Sequence, residues 1–158
     1  MTCKLLGLLA ATLLAAPAAA GAQPDPTSEE VKKVVEYFNA GKDKGPVLSQ
    51  LKPCLTIDTK KGSPTLWECT EPATGKVKKG SVVYAWTEWL VPKEGKYEDL
   101  TLQWLLEGTV RTTQDLSLTA AGVGLRTYKG TAVTKAGKWE IKVLRDNKEL
   151  ASAKFEVE

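Results

Sequence analysis

Five tryptophans, Trp67, Trp86, Trp89, Trp104 and Trp139, have the greatest capacity for recognition in this 158-residue chain. An exposed indole stacks on a sugar ring or fills a partner's pocket, whereas a buried one packs a core and needs an acceptor for its N–H. The candidate binding surface is Trp67, Tyr84, Trp86, Trp89, Arg126 and Tyr128. Trp86 and Trp89 stand three apart, so in a strand they point to opposite faces and cannot share one core. One of them, with Trp67 or Tyr84, would make an exposed aromatic platform. Beside either indole, Arg126 could stack as a cation or receive an acidic group. The simpler expectation is that an N-terminal helix covers this platform.

Catalysis has little to work with. The chain contains no histidine, which removes Ser-His and Cys-His nucleophile pairs, imidazole acid-base chemistry and His-containing zinc sites. Glu88, Asp99, Glu107, Asp115 and Asp146 are the carboxylates nearest to predicted strands. Two of them converging in a cleft would suit glycoside hydrolysis, but nothing in their spacing pairs them. No Asp-x-Asp-x-Asp-Gly run specifies calcium, and no phosphate loop is present. The reading is therefore of a protein that is not an enzyme, with no catalytic, cofactor or metal residue assigned. The net charge is only +3, with Lys and Arg interspersed among Asp and Glu. That argues against nucleic acid as the main partner, because phosphate binding needs concentrated positive charge.

The cysteines follow from the N-terminus. Lys4, the apolar run Leu5 to Leu14 and the small residues Ala15 to Ala22 have the order of a cleavable secretory signal, residues 1–22. The apolar run is too short for an anchor, so no transmembrane anchor is expected after cleavage. Cys3 precedes the apolar run, and its removal leaves Cys54 and Cys69 in an oxidising compartment, where they are expected to form one disulfide. Closing about 15 residues is worth roughly 3 kcal/mol in the chain-entropy picture. A redox-active pair would need a Cys-x-x-Cys spacing that is missing.

Residues 23–76 read as a helical, disulfide-closed N-terminal segment. Thr27-Ser-Glu-Glu30 is a capping box, followed by Val31, Val34, Val35 and Phe38 at helical spacing. Such a short amphipathic helix needs to dock its apolar stripe, most simply on its own domain. Val47, Leu48 and Leu51 suggest an extended piece or a few turns of helix ending at Pro53-Cys54, and Lys60 to Pro64 suggests a polar turn. Residues 77–158 read as an immunoglobulin-like antiparallel β-sandwich. Apolar side chains occupy every second position in Leu100 to Leu106, in Trp139 to Val143 and in Ala151 to Val157. Arg145-Asp146-Asn147-Lys148 has the chemistry of a hairpin turn. Leu116 and Leu118 suggest another strand, and Val123, Leu125 and Thr127 a further one. Val82 to Val91 shows no wet parity, so it is either central and covered on both faces or presents aromatics to a partner.

The succession Tyr84-Ala-Trp-Thr-Glu88, Leu102-Gln-Trp104 with Gly108, Arg126-Thr-Tyr128, Gly137-Lys-Trp139-Glu-Ile-Lys-Val143, Leu150 and Phe155-Glu-Val157 resembles the bacterial family called domain of unknown function 2914. The likeness spans the C-terminal half from about Val77, and many members carry a histidine before the tryptophan matched by Trp104. It implies an exported or envelope-associated protein and brings no activity, cofactor or catalytic residue. The function expected is non-catalytic binding or structural support in the periplasm or outside the cell, as an accessory domain recognising another protein. The alternative is a carbohydrate-binding module with a flat array of Trp67 and either Trp86 or Trp89 facing a glycan.

Overall fold

The computed structural model describes residues 27–40, 45–92 and 95–158. The expected signal peptide, residues 1–22, and Cys3 lie outside the described residues. The elements in chain order are α1 (Ser28–Ala40), β1 (Val47–Ile57), β2 (Cys69–Pro72), β3 (Lys76–Val77), β4 (Val82–Val91), β5 (Tyr97–Leu106), β6 (Thr109–Leu118), β7 (Gly122–Ala132), β8 (Gly137–Arg145) and β9 (Lys148–Val157).

The strands form two sheets, one of order β2-β1-β4-β7 and one of order β3-β9-β8-β5-β6. All pairs are antiparallel except β3 with β9. This is an immunoglobulin-like β-sandwich: the chain crosses between sheets after β2, β3, β4, β6 and β7, and its hairpins β5-β6 and β8-β9 stay within the larger sheet. Sheet pairing begins upstream of residue 77, since β1 runs alongside β4 from Val47↔Leu90 to Cys54↔Tyr84. The helical option for Val47 to Pro53 is thereby corrected. Proline is tolerated in β1 because the strand is irregular and its outer neighbour β2 is short.

The inner faces meet in a core that includes Trp89, Leu100, Leu102, Trp104, Leu118, Trp139, Ile141, Val143 and Phe155. Alternation in β5, β8 and β9 places all of these inward except Trp89 and Leu118, which come from β4 and β6. Both hairpins close on two successive left-handed residues, Glu107-Gly108 and Asp146-Asn147, as a two-residue turn matched to strand twist requires. All four buried indoles have an acceptor: Trp86 Nε1 donates to the Trp67 carbonyl, Trp89 to Thr87 Oγ1, Trp104 to Gln114 Oε1 and Trp139 to the Lys135 carbonyl. Thr87 is fully buried and in turn shares a 2.7 Å hydrogen bond with Thr127 Oγ1. The pair thus carries the Trp89 N–H without an orphaned polar atom.

α1 starts as expected: the Thr27 N–H donates to Glu30 Oε2 and the Glu30 N–H to Thr27 Oγ1. The three valines of its apolar stripe do not dock as expected, and the Phe38 side chain lies outside the described residues. Val31, Val34 and Val35 remain 47%, 42% and 50% exposed, while Glu29, Lys33 and Glu36 line a hollow with Pro46, Val47 and Leu48. Beside the helix, the register of β1 slips between Leu48 and Gln50 and leaves Ser49 out of the ladder with β4. Lys33 Nζ donates to that Ser49 carbonyl at 2.8 Å, drawing the charged side of the helix to the sheet.

Candidate functional site: an aromatic and charged patch on the four-stranded sheet

The outer face of the four-stranded sheet is organised by the loop between β1 and β2. The Cys54–Cys69 disulfide closes it, with Cα atoms 5.9 Å apart. Within it, the Asp58 carboxylate accepts from the Lys60 N–H at 2.9 Å, from Thr65 Oγ1 at 2.7 Å and from Ser63 Oγ. These bonds hold the Asp58 carboxyl below its ordinary value, the Ser63 hydroxyl contributing most. The Trp67 N–H donates to the Asp58 carbonyl and the Asp58 N–H to the Glu68 carbonyl. Trp67 sits in the left-handed region, with φ of 67°, a conformation costly for a large side chain and sustained by this surrounding network. The result is an indole 44% exposed and stacked at 5.9 Å on Tyr128, which meets Tyr84 edge-on at 5.8 Å.

Charge surrounds this aromatic row. Arg126 on β7 stands opposite Glu88 on β4. Its Nη2 lies 2.6 Å from Glu68 Oε1, and its Nε lies 3.5 Å from Glu88 Oε1. Lys52 Nζ rests 5.2 Å from the centre of the Trp86 ring. Glu68 and Glu88 balance Arg126 and Lys52, so the patch has aromatic surface without strong net charge. Trp67 and the segment Gly124 to Tyr128 line a shallow concavity of about 380 Å³. Gly124 has a φ of 81° and marks a bulge between Trp89 and Leu90 of the partner strand. Beyond it the side-chain parity of β7 inverts. Leu125 therefore faces Trp89 in the core, while Val123, two residues earlier, is 76% exposed.

Several expectations need correction. Trp86 and Trp89 do point to opposite faces, but both are buried, at 2% and 0% exposure. The flat array of Trp67 with one of them therefore does not form. Trp89 enters the core, and Trp86 lies beneath Lys52 with its N–H bonded to the Trp67 carbonyl. The cover over Trp86 thus includes the disulfide-closed loop, where sequence reasoning placed the N-terminal helix. Arg126 pairs with carboxylates, and the cation over an indole is Lys52. Trp67, Tyr84, Tyr128 and Arg126 do come together. Glu68, Lys52 and Asp58 were missed; Glu68 adjoins Trp67, and Asp58 precedes Ser63-Pro64-Thr65, a turn composition in which a carboxylate captures local hydroxyls and amides.

Glu68 and Glu88 are both engaged by Arg126. Asp99 is engaged by Arg145 at 2.6 Å and Glu107 accepts the Lys138 N–H. Among the described residues, no group of three or more His, Cys, Asp or Glu side chains could hold a metal, and no helix is long and apolar enough to cross a membrane. A larger concavity, about 640 Å³, lies against β1, β2 and β9 with Leu51, Pro53, Pro72, Ala73 and Phe155 on its walls. Lys52, Thr74, Lys76, Lys154 and Glu156 also line it.

No protein-family model matches the chain, and no curated protein matches it. Among solved structures, an immunoglobulin-like protein of Pseudomonas aeruginosa is 15% identical, with 72% of this chain and 96% of that one covered and a TM-score of 0.45. An alkylpurine DNA glycosylase of Pseudomonas fluorescens, solved bound to DNA containing an abasic site analog, is 10% identical with a TM-score of 0.46; the match covers 82% of this chain and 35% of that one. The CARDB domain of a Pyrococcus furiosus protein is 15% identical over 54% of this chain and 85% of its own length, with a TM-score of 0.34. Likenesses this distant assign neither family nor activity.

Proposed function

We propose that this chain is an exported, non-catalytic binding protein of the bacterial envelope that recognises another protein through the Trp67, Tyr84, Arg126 and Tyr128 patch. The observation that carries this reading is the presentation of Trp67: a large aromatic held half-exposed, in a left-handed backbone conformation, by a disulfide-closed loop. A large side chain kept at that cost on the surface is the kind of rigid anchor that dominates protein interfaces. The balanced charges of Glu68, Arg126, Glu88 and Lys52 surround it with polar groups suited to an interface rim. Export is supported by the disulfide and by the signal-like order of residues 1–22. The resemblance to domain of unknown function 2914 points the same way.

The test uses the full chain in its native envelope with a photo-crosslinking side chain in place of Val123, beside the patch. One discrete protein adduct is expected, lost on Trp67→Ala and absent when the crosslinker replaces Lys142 on the opposite sheet. Equal adducts from both positions, or an adduct indifferent to Trp67→Ala, would overturn the reading. Binding to a glycan array that depends on Trp67, without a protein adduct, would replace it with sugar recognition.

A further inference from the structure

Edge strands present unpaired N–H and C=O groups, and proteins blunt them by shortness, bulges or inward-pointing charges. Among the described strands, β2, β7, β3 and β6 end the two sheets. β2 has four residues and β3 two. β7 is long, but Gly124 interrupts it and Lys129 lies on its core-facing parity, opposite Ala85. β6 runs ten residues, contains neither proline nor lysine, and pairs only with β5 among the described strands. Its register with β5 slips twice, around Arg111 and again between Leu116 and Leu118, leaving Thr112 to Leu116 in continuous register.

The charges on β6 form a symmetric pattern. Gln114, Leu116 and Leu118 are turned inward, with Gln114 bonded to Trp104 Nε1 and to the Gly130 carbonyl. Arg111, Thr113 and Asp115 are exposed. Arg111 and Asp115 lie two positions on either side of Thr113. If two copies of β6 pair antiparallel with Thr113 opposite Thr113, each Arg111 faces the other copy's Asp115. In-register parallel pairing, or an antiparallel register centred on Arg111, would put Arg111 against Arg111. Opposite charges directly across a strand pair stabilise it and like charges oppose it.

The geometry points to β6 as an antiparallel pairing surface for a second copy of this chain. Two five-stranded sheets would merge across a two-fold axis into one of ten strands, within the size that twisted sheets sustain. The charge pairs are exposed, so the dimer depends on protein concentration and weakens with salt.

Sedimentation equilibrium of the full chain over a concentration series tests this. The wild type is expected to rise towards twice the monomer mass. Arg111→Asp sets two carboxylates against each other at both ends of the pairing, and Asp115→Arg sets two guanidinium groups there, so each single variant should remain monomeric. An equimolar mixture of the two should recover the twofold mass, as should the double variant Arg111→Asp/Asp115→Arg. Circular dichroism confirms that the singles are folded, and their recovery on mixing excludes a folding defect. A wild type that stays monomeric throughout the series, or a dimer that persists in either single variant, overturns the proposal.

Discussion

The two sheets of this sandwich share one core, but their outer faces follow different rules. On the five-stranded sheet, Glu140, Lys142, Ser152 and Lys154 meet solvent between inward-facing Trp139, Ile141, Val143, Ala153 and Phe155. On the four-stranded sheet, the outward positions of β4 are Tyr84, Trp86 and Glu88, and Trp86 is as inaccessible as a core residue. The difference comes from the extra chain. The loop between β1 and β2 packs over this sheet and makes its outer face a second, smaller interior with a polar rim. A face that is dry in part and wet in part can hold exposed aromatics rigidly, whereas a solvated face cannot.

The contrast can be broken in steps of decreasing size. Trp89→Ala, at the shared core, should cost about 3–5 kcal/mol, measured by urea unfolding, whereas Trp67→Ala on the outer patch should leave a folded, near-wild-type domain. Reducing Cys54–Cys69, or replacing both with serine, should cost about 3 kcal/mol and increase amide exchange first in residues 58–68. A loss spread evenly over both sheets would contradict a local role for the loop. Thr87→Val should cost about 1–3 kcal/mol by leaving the Trp89 N–H and Thr127 hydroxyl without their partner. Lys142→Ala, on the solvated face, should not move the unfolding midpoint measurably.

Between these limits lies a small pH dependence. The folded Asp58 carboxyl titrates below its unfolded value, so its contribution is present above the ordinary carboxylate range and lost as pH falls through the lowered folded value. Acid should therefore loosen the loop around Trp67 before the sandwich unfolds, visible as a change in tryptophan emission that Asp58→Asn removes.

Where one face is wet, the elements were legible from sequence. The alternation of Leu100 to Leu106, Trp139 to Val143 and Ala151 to Val157 identified three strands because period two there coincides with solvent. The Asp146-Asn147 turn, the Thr27–Glu30 capping box and the cysteine pair were equally readable, each being local chemistry or simple arithmetic. The patch was half legible: its aromatic members could be named, but the choice between Trp86 and Trp89 could not be made. Val82 to Val91 has no wet parity, so alternation carries no information about which face receives cover.

Register slips account for much of the rest. At Ser49 a carbonyl left out of the ladder accepts from Lys33, on a helix whose valines stay exposed. At Gly124 the parity of β7 reverses, separating Val123 from Leu125 although they are two residues apart. Neither slip follows from hydrophobic pattern, because a bulge is set by the partner strand as much as by its own residues.

By itself the sequence determined the chemistry that is absent with histidine, the β-sandwich class, the disulfide and the inward residues of the larger sheet. These depend on residue type and on spacing within one strand. Tertiary structure decided that the disulfide loop covers Trp86, that Arg126 joins Glu68 to Glu88, and that Trp67 is the tryptophan left exposed. Those outcomes depend on which segments meet across long stretches of intervening chain, and the period of a single strand carries no record of its neighbours.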